Sequence, residues 1–216
     1  MTTLTIAVDG PAASGKGTIA RRLAAHFELA HLDTGMLYRT VAMGMVKSDK
    51  DLSDEAAAAD VARNLSQYTV SEEELRSEDA GKKASIVAAY SDVRAALKEY
   101  QQEFAKNPPH NKAGSVIDGR DIGTVICPNA DAKLFVTASL EARVDRRFIE
   151  NQRRGQRVIR ADVEADLAAR DERDANRAVS PLLQAEDAHL LDTTKLDIEA
   201  AVAKAIALID ACMAQP

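Results

Sequence analysis

Asp9-Gly10-Pro11-Ala12-Ala13-Ser14-Gly15-Lys16-Gly17-Thr18 is the stretch of this 216-residue chain whose residue types and spacing most clearly do chemistry. The glycines let successive backbone N–H groups turn into one concavity, where they can cradle a polyphosphate. Lys16 adds a full positive charge, and the start of a following helix adds a partial one. Gly10, Pro11, Ala12, Ala13, Ser14, Gly15, Lys16, Gly17 and Thr18 are therefore the expected phosphate-binding residues. The usual pattern places Ser or Thr directly after the lysine, to hold magnesium. Here that place is Gly17, and the hydroxyl comes one residue later, at Thr18.

The arginines carry the second signal. The chain is acidic overall, with a net charge of −6, which argues against a generic nucleic-acid surface. Yet arginine is concentrated between Arg143 and Arg177, interleaved with Asp and Glu. Arg143, Arg146 and Arg147 fall on one helical face, and Arg170, Arg173, Asp174 and Arg177 form another stripe. A solvated, salt-bridged face is one reading of such a stripe; a set of inward-facing arginines binding a small polyanion is the other. Arginine suits the second role, because its planar fork binds phosphate oxygens in pairs and keeps its charge. An acceptor that is itself a phosphate needs no general base, only charge neutralisation and in-line placement. A closing helix–turn–helix lid over roughly 150–178 would also exclude water from the donor. The sequence offers no convincing catalytic His or Cys.

Leu4, Ile6 and Val8 alternate as a short buried strand, and Thr18 to Phe27 is apolar at helical spacing. His31-Leu32-Asp33 reads as a second strand, followed by a helix that Thr34 is placed to cap. Ser53-Asp54-Glu55 opens an alanine-rich helix. The weakly strand-like segment around Tyr68-Thr69-Val70 lies in 65–81, the expected insertion beyond a core unit. A long helical pattern runs from Lys82 to Lys106, with Ile86, Val87, Tyr90, Val93, Leu97, Tyr100 and Phe104 as its stripe and a break expected at Asp92-Val93. Ser115 to Asp118, Lys133 to Thr137 and Leu190 to Asp192 complete five strands, and Ile198 to Met213 is a terminal helix. Such alternation predicts a single α/β domain, a parallel sheet with helices on both faces. Asp118, at the carboxyl end of a core strand, sits where ligands of open α/β sheets collect. With Thr18 and Asp33 it is an expected magnesium residue, partly through water.

Cys127 and Cys212 lack metal-ligand spacing and read as reduced thiols. No signal peptide or membrane-spanning run is evident, so a cytoplasmic protein is expected. The Asn-Lys-x-Asp guanine reader of GTPases is absent, since Asn111-Lys112 is followed by Ala113-Gly114.

The Gly-Lys-Gly-Thr form of the loop resembles that of nucleoside monophosphate kinases. With it, GPAASGKGT, LDTGMLYR, VIDGRDIGTVICPNA and RDERDANRAVSPL, in this order over nearly the whole chain, resemble bacterial cytidylate kinases. The resemblance implies a three-layer α/β/α P-loop kinase using ATP with Mg2+ to phosphorylate CMP or dCMP. It implies that Ser85, Arg94 and Asp121 read the cytosine, and that Thr34 and Asp174 hold the sugar. Arg39, Arg120, Arg170 and Arg177 would hold the acceptor phosphate or the transferring group; Lys16, Arg120, Arg170 and Arg177 are the expected catalytic set. Arg76 and Ser85, in the run LRSEDAGKKAS, are retained at the end of an acceptor-binding insertion shorter than the family's. One of Arg153, Arg154, Arg157 and Arg160 is expected to meet ATP from the lid. The expected enzyme is a monomer that binds neither nucleic-acid polymer nor membrane. Two other readings are a P-loop kinase for a different small molecule and a non-catalytic ATP-binding regulator.

Overall fold

The computed structural model describes residues 3–214, which divide into two compact units. One comprises the residues up to Leu32 and those from Ala105 onward; the other is Asp33–Phe104.

The first unit is built on a five-stranded parallel sheet. Its strands are β1 (Leu4–Asp9), β2 (Ala30–Asp33), β3 (Gly114–Gly119), β4 (Ala132–Thr137) and β5 (His189–Asp192), in the order β2-β3-β1-β4-β5. β1 is central, pairing Asp9 with Gly119 on one side and Phe135 on the other. Ile6 and Val8 point into a core shared with Ile19 and Leu23 of α1 (Lys16–His26) and with Val202 and Ile209 of α9 (Ile198–Met213). Ala7 and Ile117, on alternate positions of β1 and β3, are also wholly buried, so these central strands are covered on both faces. That burial explains why they read as apolar runs. Asp197 caps α9 through the Ala200 N–H, and Ser139 caps α7 (Leu140–Arg153) through the Ala142 N–H. α7 packs against α8 (Arg160–Ala175) as a helical hairpin.

The second unit is helical among its described residues. α2 (Thr34–Lys47), α3 (Glu55–Arg63), α5 (Glu78–Val87) and α6 (Ser91–Lys106, whose last two residues lie in the first unit) bury Val41, Met45, Val61, Val87, Val93 and Leu97 together. The expected strand at Tyr68 does not form. Tyr68 instead packs its ring against Gly44 of α2, where a Cβ would come within 3.0 Å of it. The rest of 65–81 is a 3-10 turn, the single-turn α4 (Glu72–Leu75) and the start of α5. A capping box between Ser71 and Glu74 starts α4. The break expected at Asp92-Val93 in the helical pattern over 82–106 falls a few residues earlier, at 88–90, between α5 and α6. A break resets the helical phase, so Ile86 and Tyr100 drop out of the stripe and stand exposed. The cap of α2 is also different: Asp33 is the N-cap in extended geometry and Thr34 is the first helical residue.

Candidate functional site

The turn from Gly10 to Gly15 joins the carboxyl end of β1 to the first residue of α1. Gly10 has φ +149°, and a Cβ there would lie 2.0 Å from the Val136 carbonyl of β4. Gly10→Ala is therefore expected to cost about 3 kcal/mol or more, read as a lowered melting temperature; an unshifted melt would refute this steric account. Gly15 is the left-handed N-cap of α1 and makes no side-chain cap bond, so the helix presents backbone N–H groups at its start. Ser14 is fully buried, and its Oγ has no protein partner. A concave backbone, uncapped N–H groups, an unpartnered hydroxyl and Lys16 fit a polyphosphate.

Asp118, the penultimate residue of β3, lies beside this loop: a Cβ on Gly17 would stand 3.7 Å from its Oδ2. Its Oδ1 meets His31 Nε2 at 2.8 Å. Thr18 Oγ1 accepts a long bond, 3.4 Å, from Arg21. Thr18 and Asp118 thus share the first unit, and one hydroxyl and one carboxylate beside a phosphate cradle fit Mg2+, which takes few protein ligands besides water and phosphate oxygens. Among the described residues no three His, Cys, Asp or Glu side chains cluster as a metal cage. Asp33 heads α2 in the other unit, its Oδ1 turned over Gly35.

After β3 the chain enters a π-helical turn, Ile122–Ile126, preceded by Arg120 and Asp121. Arg120 Nε donates to Asp174 Oδ2 at 2.8 Å, and Arg177 Nη2 donates to Asp174 Oδ1. The structure therefore brings Arg120, Asp174 and Arg177 together, with the Asp174 carboxylate between the two arginines. Arg170 lies half-buried on α8, four residues from Asp174. Arg173 is exposed and Arg177 follows the helix end, so the four-residue stripe is not one face of α8.

The other arginines of the hairpin divide by their partners. Arg143 is buried; it donates to the Ala138 carbonyl, to the Ala12 carbonyl of the phosphate loop, and through both Nη groups to Asp171 of α8. Arg146 donates to Thr193 Oγ1 and to the Thr193 carbonyl, while Thr193 Oγ1 lies 2.9 Å from the Ser14 carbonyl. Burial holds the Arg146 guanidinium below its ordinary pKa. Ala12 packs with Val144, Val163 and Leu167, so the hairpin and the loop share a small apolar core. Arg154 pairs with Glu150 and Arg160 with Asp145, both at the surface, where such pairs contribute little. Arg153 and Arg157 are exposed.

In the second unit Ser85 of α5 and Arg94 of α6 are buried, and the Arg94 guanidinium lies over the Tyr38 ring, 5.7 Å from its centroid. Thr34 is buried at the start of α2. Arg39 donates to the carbonyls of Leu75 and Ser77, at 2.6 and 2.8 Å, and so joins α2 to the α4–α5 junction. Arg76 pairs with Glu72 at the surface.

Sequence reasoning assigns no functional role to Asp9, His31 or Thr193. Asp9 had a usable signal, since it too ends a core strand. Its oxygens accept the Ile122 and Gly123 N–H groups at 2.8 Å each. Burial raises its carboxyl to about 6, against the downward pull of those bonds. A raised carboxyl stabilises the fold fully only below its unfolded value of 3.8, and that contribution is lost as pH rises through about 6. Burial likewise pushes the Cys127 thiol up to about 11, as befits an inert side chain; Cys127 and Cys212 are both free thiols.

Known proteins resemble this chain in fold and in sequence. The fold resembles that of an uncharacterized protein from Eubacterium ventriosum (TM-score 0.56, 16% identity, 96% of this chain and 98% of that one). It also resembles shikimate kinase from Bacteroides thetaiotaomicron (TM-score 0.50, 14% identity, 97% and 99%). Both likenesses concern the fold alone. The cytidylate kinase of Rhodopseudomonas palustris strain TIE-1 is 54% identical over 209 residues, 97% of each chain. That of Methylocella silvestris is 55% identical over 205 residues, 95% of this chain and 93% of its own. The profile described as cytidylate kinase matches residues 6–211. The chain belongs to the cytidylate kinase family.

Proposed function

We propose that this protein transfers the terminal phosphoryl group of ATP to CMP, giving ADP and CDP, and does the same with dCMP. Beside family membership, the observation that carries this reading is the Arg120–Asp174–Arg177 cluster in the unit that holds the phosphate loop. Hydrolysis needs one phosphate cradle; transfer between two phosphates needs a second set of cations for the acceptor.

In the proposed reaction Gly10 to Thr18 hold the ATP phosphates, with Lys16 on the transferring end. Arg120, Arg170 and Arg177 neutralise the acceptor phosphate and the charge that develops as the two polyanions meet. An oxygen of the CMP phosphate attacks the γ-phosphorus in line. The bond from that phosphorus to the β–γ bridging oxygen breaks, and its electron pair leaves on ADP. Arg39 and Arg76 belong to the acceptor side, and Thr34 and Asp174 to the sugar. Ser85, Arg94 and Asp121 suit cytosine: a carboxylate or hydroxyl accepts its exocyclic amine, and arginine satisfies its carbonyl and ring nitrogen. Thr18, Asp118 and Asp33 would hold Mg2+, partly through water; when bound it neutralises phosphate charge. Residues 150–178 are the lid, bringing one of Arg153, Arg154, Arg157 or Arg160 to ATP, and residues 65–81 are the acceptor-binding insertion. The enzyme acts as a cytoplasmic monomer. Among the described residues no helix is long and apolar enough to cross a membrane.

A coupled assay with ATP, Mg2+ and each of CMP, UMP, AMP and GMP tests the reading. CMP should be converted at least about tenfold more efficiently than UMP, because a site built for an exocyclic amine leaves its acceptors unpaired on UMP. Equal use of all four would refute the cytosine assignment. Binding of ATP without transfer to any of them would favour a regulator.

A further inference from the structure

The π-helical turn at Ile122–Ile126 has a feature that its own sequence does not supply. Its first N–H groups need an acceptor, and the residue in the N-cap position is Asp121, among the best capping residues. Asp121 nevertheless makes no side-chain cap bond to the turn. The acceptor is Asp9, more than one hundred residues earlier, whose two oxygens take the Ile122 and Gly123 N–H groups separately. Gly123 permits this approach: a Cβ there would meet Lys133 Cδ at 3.1 Å and Asp9 Oδ2 at 3.4 Å. Asp9 is itself fixed, paired with Gly119 and Phe135 in the sheet and followed by Gly10, which is closed against Val136.

We propose that Asp9 is a positioning residue for acceptor recognition, capping from β1 the turn that carries Arg120 and Asp121 so that Asp121 is not spent on capping it. One carboxylate at the root of the phosphate loop then sets where the acceptor-reading turn stands relative to the donor cradle. The charge of Asp9 is felt alongside those of Asp121 and Arg120, which act on it in opposite directions. A neutral capping group would hold the turn less firmly, since a bond to a charged acceptor is about twice as strong. The proposal rests on the reading of Arg120 and Asp121 as acceptor-binding residues.

The test combines amide exchange with kinetics. In the wild-type protein with no ligand, the Ile122 and Gly123 amides should exchange slowly by NMR, and in Asp9→Asn at least about tenfold faster, because Asn accepts only one of the two bonds. Asp9→Asn should raise KM for CMP about tenfold and lower the CMP-over-UMP preference, with KM for ATP within about twofold of wild type. A purely structural role would weaken both substrates alike, and that outcome overturns the proposal. So does an unchanged KM for CMP. The wild-type exchange needs no variant, so rapid exchange at either amide overturns the proposal even if Asp9→Asn fails to fold. Asp121→Asn separates the two ideas. If that variant keeps its base preference, the cytosine role of Asp121 fails. The Asp9 proposal then still stands or falls on the two amides and on KM for CMP.

Discussion

Lys16→Ala should lower the turnover of CMP by on the order of 10³ while the protein still folds and melts within a few degrees of wild type. Lys16 is the first residue of α1, at the end of the helix where the dipole is already positive. Removing a cation there relieves an unfavourable contact with the dipole, which favours the folded variant. The lost charge matters most once a polyphosphate is present. The ATP ground state loses part of its binding, and the transferring group loses more, because negative charge shifts along the donor as the β–γ bond breaks. The expected signature is a fall in turnover larger than the rise in KM for ATP. Unchanged turnover would remove the phosphate cradle from the reaction.

What was legible in the sequence was local. The phosphate loop lies within ten consecutive residues, and strand and helix periods on either side of it give its context. Five strand positions and the helix start at Ser53-Asp54-Glu55 follow from the same short-range signals. Asp118 was legible because it ends an apolar strand. The pairings were not legible. Arg120 and Asp174 are 54 residues apart, Thr193 and Ser14 are 179 apart, and residue type sets no distance between them. The arginine-rich segment shows why this matters. Equal spacing on a helix placed Arg143 and Arg146 together, and they do share a face. Their partners, however, are the backbone of the phosphate loop, Asp171 and Thr193, so they brace the cradle from behind. Conversely, the Arg173 position satisfies the stripe and yet faces water. Asp9 was overlooked for another reason: inside a glycine-loop motif it reads as part of the motif, while its bonds go to a turn beyond β3.

The same long-range pairing makes Asp174 the residue whose loss should be most costly to the fold and to turnover together. Its carboxylate side chain is 3% exposed, Arg120's is 14% and Arg177's is 9%, so all three groups are largely removed from water. Each oxygen of the carboxylate takes one arginine. Asp174→Ala would take from two largely buried guanidinium groups the carboxylate that lies between them, a loss of about 3–5 kcal/mol. For a chain of this size that is a fall of roughly 6–20 °C in melting temperature. Turnover should fall about 10² as well, since both arginines lose the group that aims them and a misplacement of about 1 Å suffices. The double variant Asp174→Ala with Arg177→Ala discriminates between lost packing and unpaired charge. If charge dominates, removing the second arginine restores part of the melting temperature, and the two substitutions are strongly non-additive. If Asp174→Ala melts as the wild type does, the cluster is not a buried electrostatic unit. If it melts low but turns over CMP at the wild-type rate below its transition, the two arginines do not act in the transfer.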